Sequence, residues 1–142
     1  MSAQTDDAQA ELQRARTELA AVEAERAEKR LELVQSLLAV RRLSEECDVL
    51  NALYERRRHF ERLLLAESNA GVDNDDELQA ANESSHLCFA NLNAMIAEFD
   101  AIHARTNPIR DAYRALLQRE AELQETVIYF QMGMRPPPAQ ME

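Results

Sequence analysis

Ser68-Asn-Ala-Gly-Val-Asp-Asn-Asp-Asp76 reads as the strongest turn in the chain, set between two long stretches of helical sequence. Gly71 suits the left-handed position that closes a helix, and Asp73 to Asp75 offer caps for the start of the next one. The stretch has the look of a calcium loop, but its spacing is wrong. An EF-hand beginning at Asp73 needs glycine where Leu78 stands and glutamate where Ser84 stands.

Upstream of Gly71 there is neither glycine nor proline, and the whole chain of 142 residues holds two glycines and four prolines. Rossmann folds, P-loops and β-sandwiches depend on such residues for their turns, so the composition excludes them. Thr5, Asp6 and Asp7 carry N-cap chemistry. The expected first helix therefore runs from about Thr5 to Ser68, after a polar N-terminus at 1–6. At 1.5 Å per residue it would extend roughly 90 Å, too long for the core of a compact domain of this size. It needs a long partner.

The apolar spacing supplies one. With Leu12 at heptad position a, the a series is Leu12, Leu19, Arg26, Leu33, Val40, Cys47, Tyr54 and Glu61. The d series is Ala15, Val22, Lys29, Ser36, Leu43, Leu50, Arg57 and Leu64. Eleven of these sixteen are apolar, which makes a coiled-coil seam with polar interruptions at Arg26/Lys29 and Arg57/Glu61. Past the turn a second heptad series begins. Its a residues are Leu78, Ser85, Leu92, Phe99, Thr106, Tyr113, Glu120, Val127 and Met134, and its d residues are Ala81, Cys88, Met95, Ile102, Ile109, Leu116, Leu123 and Phe130.

Folding the chain at Gly71 pairs residues whose numbers sum to 142, and every a then meets a d, as an antiparallel coiled coil requires. Leu43 meets Phe99 and Leu50 meets Leu92; polar layers coincide at Ser36 with Thr106 and at Arg57 with Ser85. Flanking positions bring Glu25 near Arg119. Pro108 falls within the second run without disturbing its phase, so a kink or tight break is expected there, with the hydroxyls of Ser36 and Thr106 placed to satisfy freed backbone groups. The expected fold is all-α: a long antiparallel helical hairpin with arms at about 7–68 and 75–133 and a loop at 68–76. Gly71 and Pro108 are its hinges, residues 135–142 form a proline-rich disordered tail, and the hairpin packs into a larger helical bundle.

Twenty-six acidic residues against sixteen basic ones give a formal charge of −10, which repels phosphate backbones and argues against general nucleic-acid binding. No apolar run approaches membrane-spanning length. Two distant cysteines and no hydrophobic N-terminal signal point to a reducing compartment, cytoplasmic or nuclear. Cys47 and Cys88 occupy seam layers one heptad apart and read as structural thiols.

Enzymatic chemistry finds little support. Glu83-Ser-Ser-His86 has the E-x-x-H spacing of helical di-iron sites, but it occurs once and lies at outward positions f and b. No catalytic, metal or cofactor site is expected. The dense basic patch Arg56, Arg57, Arg58 and Arg62 could face an acidic partner, an anionic membrane or the import machinery; as an ordinary solvated face it is balanced by Glu55, Glu61 and Glu67.

The informative residues are apolar ones that the seam does not use: Leu31, Val34 and Leu38 at f and b, and Leu37, Leu53, Phe60, Phe89, Ile96 and Leu117 at e or g. They are the expected interface to a protein partner or to another copy of the chain. In these heptads the chain resembles, generically, the small coiled-coil subunits of cytoskeletal, kinetochore-type and vesicle-tethering complexes. Prefoldin subunits share a long helical hairpin but carry β-hairpins at its tip, and Ser68 to Asp76 has no strand pattern. The expectation is a non-enzymatic scaffold or assembly subunit, with a small helical chaperone that holds clients as the alternative.

Overall fold

The computed structural model describes residues 2–137, with side-chain environments from Asp6 onward. Two helices account for nearly all of it: α1, Ser2–Asn69, and α2, Asp75–Gln131. They pack against each other as a helical hairpin. Helix α1 begins upstream of the expected Thr5 to Asp7 cap, because nothing between Ser2 and Asp7 interrupts helical propensity. Residues 2–6, expected as a polar N-terminus, are therefore helical. The loop is also shorter than expected, confined to Ala70 through Asn74.

Gly71 takes φ +98°, and the bonds around it are those of a Schellman cap. The Val72 amide donates to the Glu67 carbonyl and the Gly71 amide to that of Ser68, both at 3.0 Å. The same arrangement ends α2: Gly133 has φ +73°, Met134 donates to Tyr129 at 2.8 Å, and Gly133 donates to Phe130 at 3.1 Å. These bonds satisfy carbonyls that a helix end otherwise leaves open. At the start of α2, the Leu78 amide donates to the Asn74 carbonyl at 2.9 Å, while Asp75, Asp76 and Glu77 place negative charge at the positive end of the helix dipole. Asn74 is buried, and its side-chain amide donates to the Leu64 carbonyl at 2.9 Å, tying the loop to α1.

Helix α2 passes through Pro108 without a break, so the chain neither reverses nor starts a third helix there. Pro108 lies at heptad position c and is exposed. The carbonyl it leaves without a donor belongs to Ala104, four residues earlier and also exposed, where water can serve as the donor. The seam hydroxyls are not spent on that carbonyl. Thr106 Oγ1 donates instead to the Ile102 carbonyl at 2.8 Å.

The contacts divide the hairpin into two units, one made of the described residues up to Gln35 and from Asn107 onward, the other Ser36–Thr106. In the first, Ala15, Val22, Leu33, Leu123 and Val127 are buried. Arg26 and Glu120, both at a positions, form an ion pair inside this seam. Arg119 pairs with Glu18 and, at 3.6 Å, with Glu122; Glu25, the expected partner, is exposed one heptad away on the same edge. The bond to Glu18 pushes the Arg119 guanidinium pKa up.

In the second unit, Leu43, Leu64, Ala81 and Leu92 form the buried core. Ser36 and Thr106 meet through their hydroxyls, in the layer their numbers predict. Since Thr106 donates its only hydroxyl proton to Ile102, Ser36 is the donor between them. Of all the seam positions in α1 and α2, Arg57 alone is exposed. Its long stem carries the charge out to water, and buried Ser85 lies beside the Glu61 carboxylate.

Candidate interaction surface

The seam positions are taken up by the hairpin itself, so any surface for another molecule has to come from the remaining heptad positions. In the first unit these include Leu31, 61% exposed, Val34 at 43% and Leu117 at 40%. The three b and f positions immediately before Leu31 on the same helix are alanines: Ala20, Ala24 and Ala27, all exposed. An α-helix presents b and f on the side opposite a and d, so these residues point away from the core that α2 covers.

In the second unit Leu37, Leu38, Phe60, Phe89 and Ile96 are exposed, whereas Leu53 is half-buried. They do not make one stripe. Phe89 turns toward the seam and packs on Tyr54, with ring centroids 5.5 Å apart. Phe60 lies on a separate groove with Arg57, Glu77, Ala80, Ala81 and Ser84. A second open groove is lined by Arg42, Glu45, Glu46, Val49, Leu50 and Met95. Val49, Leu63, Leu65 and Leu87 are further exposed apolar side chains that the sequence reading passed over. Three of them, Val49, Leu63 and Leu87, sit at c positions, so the same register would have identified them once c was inspected alongside b and f.

Arg56, Arg57 and Arg62 of the basic patch are exposed and Arg58 is half-buried; none of the four forms a salt bridge among the described residues. Beside the patch lies a polar cluster missed in the sequence. Asn82 Nδ2 donates to Glu61 Oε1 at 3.1 Å. The Ser85 hydroxyl holds the Glu61 carboxyl below its usual range; partial burial opposes it, and Asn82, Arg58 and His86 assist. Glu83 and His86 both face solvent, and Glu83 accepts from Gln79 at 3.4 Å.

Among the described residues no group of three His, Cys, Asp or Glu side chains stands close enough to hold a metal ion. Cys47 and Cys88 are free, half-buried thiols. Burial, followed by the charges of Asp48, Glu46 and Asp100, raises the Cys47 pKa, which suppresses the reactive thiolate. No helix of the described residues is long and apolar enough to cross a membrane. What the surface offers is apolar side chains on helix faces, set among charges of both signs. Comparison with protein-family models, curated proteins and solved structures finds nothing that matches this chain.

Proposed function

We propose that the chain is a non-enzymatic helical assembly subunit that joins a multiprotein complex by packing its outer helix faces against other helices. The observation that carries this reading is the exposure of Leu31, Val34, Leu37, Leu38, Phe60, Phe89, Ile96 and Leu117 on a hairpin whose seam is already filled. Each large apolar side chain that a partner covers fully contributes about 1.5 to 3 kcal/mol, so a few of them suffice for stable association. Cytoskeletal, kinetochore-type and trafficking complexes use parts of this kind. The free thiols fit a reducing compartment, cytoplasmic or nuclear, and the acidic balance fits a protein partner better than nucleic acid.

The experiment is purification of the tagged full chain from its native cells under mild conditions, with absolute mass measured as the complex elutes. An assembly of fixed stoichiometry is the expected result. Substoichiometric capture of many unfolded clients, with suppression of their aggregation, would replace the scaffold with a holding chaperone. A chain recovered alone, as a monomer, would end both readings.

A further inference from the structure

We infer that the outer face of α1 in the first unit is a docking site for a second copy of this chain, lying antiparallel across the same face. The inference rests on the assembly reading above and names the partner. Ala20, Ala24, Ala27, Leu31 and Val34 follow each other at intervals of four, three, four and three residues. That is a second heptad seam, at b and f, on the back of a helix whose a and d positions already face α2. All five side chains are exposed.

The seam is graded, with small residues toward the N-terminus and large ones toward the C-terminus, and the gradient selects the occupant. The distance between two packed helices is set by the side chains at the contact. A parallel copy would stack alanine on alanine and leucine on leucine, demanding a close approach at one end and a wide one at the other. An antiparallel copy sets Ala24 against Val34 of the second molecule and Ala27 against its Leu31. Each layer then holds one small and one large residue, and the spacing is uniform. Such a contact is two-fold symmetric, so each layer occurs twice.

Charge supports the same arrangement. Arg26 and Lys29 belong to the a and d seam, so the charges that border this face are Glu23, Glu25, Glu28 and Glu32, with Arg30 as the single cation among them. In this register Glu23 flanks Arg30 of the second copy, on the diagonal used within the hairpin by Glu18 and Arg119. Glu23 and Arg30 are exposed, and neither forms a salt bridge within its own chain among the described residues.

The test uses the purified full chain with nothing else present. Sedimentation equilibrium over a concentration series should give twice the chain mass. Glu23→Arg should weaken the dimer, and Glu23→Arg combined with Arg30→Glu should restore it, with helicity unchanged throughout. In chains with both native cysteines replaced by serine, mixing Ala27→Cys with Leu31→Cys should yield a disulfide between the two species in preference to either self-pair. A single-chain mass at tens of micromolar would overturn the proposal, and a dimer indifferent to both charge reversals would overturn this register. Either result leaves the assembly reading standing if the native preparation still contains a fixed heteromeric partner.

Discussion

Pro108 shows what decides the cost of a helix breaker: the heptad position it occupies. At c, it leaves its orphaned carbonyl on exposed Ala104, so the penalty is limited to one lost backbone bond and the steric push on the preceding turn. Pro108→Ala should therefore raise stability by about 1 to 3 kcal/mol, visible as a higher melting temperature with the oligomeric state unchanged. Glu61 is a second residue whose surroundings set its behaviour. Its folded pKa lies below the usual 4.5, so its contribution to stability is complete above that value and is lost as the pH falls through the folded value. Glu61→Gln should accordingly be less stable than the native chain at neutral pH, with the gap closing below about pH 4.5. Urea midpoints of the two proteins across the acid range check this.

Along the elements, the heptad pattern was legible because burial in a two-helix seam depends on spacing alone, and each predicted a and d position in the helices except Arg57 is buried or half-buried. The Ser36–Thr106 layer followed from the same arithmetic. Other details were not legible, for physical reasons. Long side chains choose among several partners within reach: Arg119 takes Glu18 rather than Glu25, and Arg57, though at a d position, is exposed. The candidate surface was legible as exposure, except at Leu53, which is half-buried, but its division into separate faces was not. Heptad letters do not say that Phe89 leans on Tyr54 while Phe60 lines a groove. The ion pair of Arg26 and Glu120 leads to a prediction at this scale. With side chains only 29% and 14% exposed, neither partner is well hydrated alone, so Glu120→Ala should cost about 1 to 3 kcal/mol. Replacing both with leucine should instead stabilise the hairpin by about 1 kcal/mol or more, measured by denaturant unfolding.

Across the two units, seam residues hold the hairpin together and large apolar residues outside the seam are exposed. Replacing Leu31, Val34 and Leu38 together with glutamate should abolish the association proposed above and leave the circular dichroism spectrum helical. Unfolding of that variant would instead assign the three side chains to the core. The turn at Asn74 also governs how the hairpin comes into being. Its bond to Leu64 spans 10 residues, the Ser36–Thr106 layer spans 70, and the Glu18–Arg119 pair spans 101. Closing the longest of these loops from an open chain costs about 2 kcal/mol more entropy than closing the shortest. Zipping from the turn outward is therefore the expected order of folding, each layer shortening the loop that the next must close. Asn74→Ala should slow refolding, whereas Arg119→Ala should leave the refolding rate alone and quicken unfolding, a contrast that stopped-flow measurements resolve. During synthesis the whole of α1 emerges before this turn can close, so every nascent chain passes through an interval in which the first helix carries both of its apolar faces unpaired.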